Sequence, residues 1–196
     1  MKSILTIALT ILISSSLMSQ AYEVGDYATD FKLLNIDGEY LSLSDYSDAK
    51  GFIVIFTTNH CPYAVAWEDR IIDLDKTFKS KGYPVIAINP NSAEAYPDDS
   101  YEKMIERAEQ KGFTFPYLHD AKQEIYKIYG ATKTPHVYVL KKEAEKLKVT
   151  YIGAIDNNYR DASEADEHYV RDAVNNLLAG KDPDPAFTRA IGCSIK

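Results

Sequence analysis

Two residues carry most of the chemistry that this 196-residue chain can offer: Cys61 and Cys193, its only cysteines. Cys61 lies in Phe56-Thr-Thr-Asn-His-Cys-Pro-Tyr63 and is followed at once by Pro62. An apolar run precedes it, and behind it Ala64, Trp67, Ile71, Leu74 and Phe78 recur at helical spacing. A proline just inside a helix start loses nothing, because its missing N–H would have no intrahelical partner. The pattern therefore predicts Cys61 at a helix N-terminus, where free N–H groups and the positive dipole end favour an anion. A thiolate is such an anion, and this placement lowers cysteine pKa values below the free value of about 8.5. His60 adds a cation next to it when protonated. The spacing thus predicts a nucleophilic thiol rather than a cysteine acting as a small core hydrophobe.

The elements that must position this thiol can be read on either side of it. Gly51–Phe56 reads as a buried parallel strand and Tyr83–Asn89 as a second one, with the Cys61 helix between them ending at Gly82. Phe31–Leu34 and Tyr40–Leu43 read as an N-terminal β-hairpin about Asp37-Gly38, with Ser44 capping a short turn. Residues 90–100 read as a loop, and Tyr101–Gln110 as a helix closed by Gly112. An extended piece follows over Phe113–Leu118. Asp120 is expected to cap a helix over Ala121–Tyr129. His136–Leu140 and Val149–Ile152 read as strands around a charged turn, with His136 a structural residue. A last helix is expected from Ala165 or Asp166 to Ala179. The tail, 181–196, reads as irregular. Strands alternating with helices predict an α/β fold with a mixed, mainly parallel central sheet flanked by helices.

The first 21 residues read as a signal peptide: Lys2, the apolar stretch Ile4–Leu17, then Ser19-Gln20-Ala21 as a small-x-small cleavage site. That stretch is shorter than the ~20 apolar residues that span a bilayer. The chain is therefore expected to be exported, periplasmic or secreted, with no membrane association after cleavage and one domain over 22–180. The net charge is −7, and loss of Lys2 makes it −8. That acidity argues against nucleic acid and anionic membranes as partners.

Several motifs resemble the thioredoxin-fold redoxins, and in particular a peroxiredoxin-like branch carrying Cys-Asn-His-Cys-Pro-Tyr. Val24-Gly-Asp-Tyr-Ala-Thr-Asp-Phe31 is similar to that family's opening G-x-x-A-P-D-F, with Thr29 in place of proline. Asp37-Gly38 to Ser42-Leu43 matches its D-G-x-x-x-S-L hairpin. Asn59-His60-Cys61-Pro62-Tyr63 is the most specific match, and Gly192-Cys193-Ser194 resembles the branch's C-terminus. The resemblance implies a thioredoxin-like fold and no cofactor. It implies a cis Thr134–Pro135 bond that brings the Thr134 backbone beside Cys61. It also implies a thiol-dependent oxidoreductase acting on a disulfide or a peroxide, with an external thiol as reductant.

The departures are specific. Ala64 stands where the second cysteine of Cys-x-x-Cys falls, Thr58 where the branch has its upstream cysteine, and Val54 where a peroxidase P-x-x-x-T-x-x-C motif has proline. Neither local partner of Cys61 is present. Cys193 is then the one internal thiol that can resolve an intermediate on Cys61, and thirteen residues beyond Gly180 at ~3.5 Å each give it the reach. Reach permits a Cys61–Cys193 couple and equally permits a solitary Cys61, with the tail packed elsewhere on Phe187 and Ile191. Thr58 is the candidate hydroxyl for polarising a peroxide, and no arginine can be placed beside it. Two other readings stay open. One is a redox-inactive peptide-binding domain. The other is a copper module on His60, Cys61 and His136, against which Val65 stands where a second cysteine four residues on would be needed. No resident metal is expected.

Overall fold

The computed structural model describes residues 21–196; the signal-peptide segment lies outside the described residues, all but Ala21. Along the chain run β1 (Tyr27–Ala28), β2 (Lys32–Asn35), β3 (Tyr40–Ser42), β4 (Gly51–Phe56), α1 (Pro62–Phe78), β5 (Val85–Asn89) and α2 (Tyr101–Lys111). Then follow β6 (Tyr117–His119), α3 (Ile125–Tyr129), β7 (Lys133–Thr134), β8 (His136–Glu143), β9 (Lys146–Gly153), α4 (Tyr169–Leu178) and β10 (Cys193–Ser194). Eight strands form one mixed sheet in the order β1-β9-β8-β4-β5-β6-β2-β3, and β7 pairs with β10 apart from it.

The parallel part is the centre, β4–β5–β6. Antiparallel partners flank it: β8, β9 and β1 on one side, and the β2–β3 hairpin on the other. The sheet is mixed as expected but less parallel than the strand–helix alternation suggests. The reason is that both hairpins add antiparallel strands at its flanks.

β4 shows why its residues are apolar without a break. Ile53 and Ile55 point to the layer containing Trp67, Ile71 and Phe78 of α1 and Val170 and Val174 of α4. Phe52, Val54 and Phe56 point to the opposite layer with Phe31, Tyr129 and Tyr138. A strand buried on both faces has no polar side to alternate with. All five apolar residues of the expected α1 stripe are buried.

Four boundaries differ from the sequence expectation, each for a local reason. Ser42, not Ser44, caps the turn Leu43–Asp45: its Oγ accepts from Ser44 N–H while Asp45 reaches back to Ser42 N–H, a reciprocal capping box. α3 starts at Ile125 rather than Ala121. Gln123 adopts a positive φ of 56°, which breaks the helix, and the Asp120 carboxylate accepts instead from the N–H groups of Glu124, Ile125 and Tyr126. α4 starts at Tyr169 because Asp166 and Glu167 are tied to Asn157. β8 and β9 run right up to a two-residue turn at Ala144-Glu145, so the charged residues taken for a turn belong to a long hairpin.

The tail differs most. Thr188 and Ala186 bond to the Ile152 backbone, and Thr188 Oγ1 accepts from Ala154 N–H. β10 then pairs antiparallel with β7. Phe187 and Ile191 do not pack the tail; they are 65% and 40% exposed. Backbone bonds, the Thr188 hydroxyl, the disulfide and the part-buried Ile195 anchor it instead.

Candidate functional site

Cys61 is the N-cap of α1 with Pro62 in the first helical position, and its side chain is fully buried. Its N-cap role follows from the sequence: β4 ends at Phe56, Thr57 N–H still bonds across to Ile88, and Pro62 forces the chain into helical φ one residue after the cysteine. Cys61 and Cys193 form a disulfide with their Cα atoms 6.1 Å apart. Cys193 faces Thr134 in the β7–β10 ladder, and Cys61 Sγ lies 3.2 Å from the Thr134 carbonyl oxygen. The Thr134–Pro135 peptide is cis. Thus Cys61, Pro62, Cys193, Thr134 and Pro135, spread over 132 positions, meet at one point where α1 begins.

His60 is turned to another task. Its ring stacks on Tyr96 with centroids 4.5 Å apart, and its Nδ1 faces the buried Asp99 Oδ2 at 2.8 Å, an ion-pair distance without hydrogen-bond alignment. Thr58 Oγ1 and Thr134 Oγ1 are buried and make no hydrogen bond to the described residues. Arg70, Arg107 and Arg171 are each paired with a carboxylate: Asp156, Glu68 and Asp73. His136 is buried, and burial lowers its pKa to about 4, so it is neutral at pH 7. Its Nδ1 accepts from Thr132 N–H at 3.3 Å, which sets the proton on Nε2. That is the structural role expected of it. No three His, Cys, Asp or Glu side chains among the described residues group as a metal site, and no helix among them is long and apolar enough to cross a membrane.

Three residues around the site carried no signal that sequence reasoning could use. Asp99 and Asn91 sit in the segment read as a loop, yet both are buried, with 0% and 2% exposure. Gln123 stands where a helix was expected, and only its positive φ in the structure marks it. The clue available was compositional: a polar loop rich in Asp and Asn next to a strand end, which is common on surfaces and so not specific.

What the arrangement can do chemically is thiol–disulfide exchange. The sulfur at the helix start can accept a bond to a second sulfur, and its partner arrives on a strand that is not part of the main sheet.

Comparison with known proteins agrees with this geometry. A 28% identical relative over 131 residues is the thiol-disulfide oxidoreductase ResA of Oceanobacillus iheyensis; the match covers 65% of this chain and 64% of that protein, just under two thirds of its length. A structure of an uncharacterised conserved protein from Geobacillus kaustophilus superposes with a TM-score of 0.82 at 34% identity, covering 91% of this chain and 94% of that one. A thioredoxin family protein from Chlorobium tepidum, at 19% identity, shares the fold with a TM-score of 0.56 over 72% of this chain and 93% of its own. The fold is therefore thioredoxin-like. The AhpC/TSA family model matches residues 24–152, from the segment before β1 through most of β9 and including Cys61 but not Cys193. That match spans well over half of the sequence, and the chain belongs to the AhpC/TSA family.

Proposed function

We propose that this chain is an exported thiol-dependent oxidoreductase in which Cys61 is the nucleophile and Cys193 the resolving thiol. The observation that carries the reading is the disulfide between the α1 N-cap and the β10 strand, Cα to Cα 6.1 Å. A relative named as a thiol-disulfide oxidoreductase supports the same chemistry. With a disulfide substrate, the Cys61 thiolate attacks one sulfur and releases the other as a thiolate. Cys193 then attacks Cys61, forms the internal disulfide and releases the second thiolate. Two electrons pass from the cysteine pair to the substrate, and an external thiol returns the pair to the reduced state.

A peroxide substrate is the second reading, and the buried Thr58 hydroxyl, which has no hydrogen-bond partner among the described residues, favours it. There Cys61 takes one oxygen as sulfenic acid, an alcohol or water leaves, and Cys193 closes the disulfide with loss of water. Thr134 contributes its backbone to align an approaching chain. Export is supported by Lys2, the apolar stretch and Ser19-Gln20-Ala21. A disulfide also persists best in an oxidising compartment. The mature protein is then expected to start near Tyr22 by mass spectrometry of the exported fraction.

The experiment is turnover by the reduced protein of a dithiol-coupled disulfide substrate and, separately, of hydrogen peroxide and an alkyl hydroperoxide. Cys61→Ser is expected to abolish turnover of whichever substrate is used. Cys193→Ser is expected to stop at a mixed disulfide or a sulfenic acid. Full activity in Cys61→Ser rules Cys61 out as the nucleophile, and no turnover of any of these substrates by the reduced wild type leaves the bond as a staple of a peptide-binding domain. Copper uptake by the reduced protein that depends on His60 points to the metal module instead.

A further inference from the structure

Asp99 is a buried carboxylate that bonds the loop of Cys61 directly and reaches the tail of Cys193 through Asn91. Its Oδ1 accepts from Asn59 N–H at 2.8 Å, two residues before Cys61. Its Oδ2 accepts from Asn91 Nδ2 at 2.7 Å and faces His60 Nδ1 at 2.8 Å. Asn91 in turn accepts, on Oδ1, the N–H of Lys196 at 2.9 Å, three residues after Cys193. The Lys196 carbonyl accepts from Ser92 N–H at 3.0 Å and from Gln123 Nε2 at 2.6 Å, and Gln123 Nε2 also reaches Pro90 O at 2.7 Å. One hydrogen-bonded chain thus runs from the loop of Cys61 through Asp99 and Asn91 to the strand of Cys193.

We propose that Asp99, Asn91 and Gln123 are positioning residues that form a latch for the tail and set the effective concentration of Cys193 at Cys61. The inference rests on the thiol-couple reading above. Upstream, the tail is anchored at Thr188. From there to Lys196 the tail has the two-residue β7–β10 ladder, an Ile195 N–H bond to Thr132 O at 3.4 Å and the part-buried Ile195 side chain against the core. Ordering eight residues costs conformational entropy that these few contacts share with the bonds at Lys196. The bonds at Lys196 hold the far end. With both ends fixed, Cys193 waits beside Cys61 and resolution becomes an intramolecular encounter. In that step the Cys193 thiolate forms a bond to Cys61 Sγ, the bond from Cys61 to the substrate sulfur breaks, and the departing thiolate takes up a proton. The latch takes no part in bond making.

Two features fit a built device rather than a chance contact. Gln123 is held at a positive φ, which non-glycine residues adopt only when their surroundings over-determine it. A Cβ on Gly192 would lie 2.2 Å from the Thr134 carbonyl oxygen, so only glycine allows the strand to come this close.

The test is the equilibrium constant of the Cys61–Cys193 disulfide against a glutathione redox buffer, with Cys61 alkylation measured in a Cys193→Ser background. Each net hydrogen bond is worth roughly two- to tenfold in an equilibrium. Gln123→Ala and Asn91→Ala are expected to lower the constant by about that factor while leaving Cys61 alkylation unchanged; tenfold raises the potential by about 30 mV. Gly192→Ala is expected to lower it further. Asp99→Asn is expected to change both readouts, because Asp99 bonds the Cys61 loop directly and holds Asn91, which bonds the tail. Unchanged constants in Gln123→Ala and Asn91→Ala overturn the latch even if the couple itself turns over. Turnover that survives in Cys61→Ser, or that is absent from the reduced wild type, overturns the function while the constants still report on the latch.

Discussion

Cys193 faces Thr134 across the β7–β10 ladder while the Thr134 carbonyl oxygen lies 3.2 Å from Cys61 Sγ. A single backbone residue therefore registers both sulfurs. An extended chain delivered to Cys61 is expected to meet the same edge, because a free strand edge pairs with a strand that reaches it. In the oxidised protein that edge is taken by the protein's own tail.

Once the bond is reduced and the tail replaced as a partner, Cys61 is left at the start of a 17-residue helix. Its alkylation by iodoacetamide at pH 6 in the Cys193→Ser variant is expected to be faster than that of glutathione, since the helix start favours the thiolate. A rate profile matching a free thiol counts against a nucleophilic role.

The disulfide closes a loop of 132 positions, and chain-entropy estimates for such a loop give up to about 5 kcal/mol of stabilisation. Reduction is expected to lower the urea midpoint markedly, and Cys193→Ser to match the reduced wild type. Equal midpoints for the oxidised and reduced protein would show that the bond adds nothing to the stability of the fold.

Burial holds His136 neutral down to about pH 4, whereas in the unfolded chain it takes its proton near 6.5. Between these values the unfolded state binds more protons, so stability falls as pH drops from about 6.5 to about 4. Fully developed, the difference amounts to about 3 kcal/mol. Unfolding measured at pH 7 and pH 4.5 is expected to show a smaller loss for His136→Gln than for the wild type. The same loss in both assigns it to carboxylates instead.

Glu68 is buried on α1 and gripped by Arg107 of α2 through two bonds of 2.7 and 2.6 Å. Arg107→Ala strands that carboxylate, with only Lys111 Nζ at 3.9 Å beside it, and is expected to destabilise the fold by about 3–5 kcal/mol. Replacing both partners, Arg107→Met with Glu68→Met, is expected to cost far less, which chemical denaturation of the two variants checks.

Local chemistry was enough to read Cys61, Pro62 and the α1 stripe. A proline at the first helical position, an apolar run before it and a 3.6-residue period after it are all short-range signals, and each acts within one turn or one strand. The double burial of β4 and the Asp37-Gly38 hairpin are legible for the same reason. The starts of α3 and α4 lie later than their local sequence implies because long-range or non-adjacent bonds set them: Gln123 is drawn out of the helix towards Pro90 and Lys196, and Asp166 is tied to Asn157. The Cys61–Cys193 pairing was open in the sequence, since chain reach allows contact without directing it. Only the folded tail decides it, through bonds to the backbones of Ile152, Thr132 and Ser92 and to the Asn91 side chain that no residue pattern announces. Asp99 is the same case: an aspartate in a polar loop reads as surface, and it becomes a buried hub only because the segments after β4 and β5 converge there and its carboxylate satisfies the donors of Asn59 and Asn91.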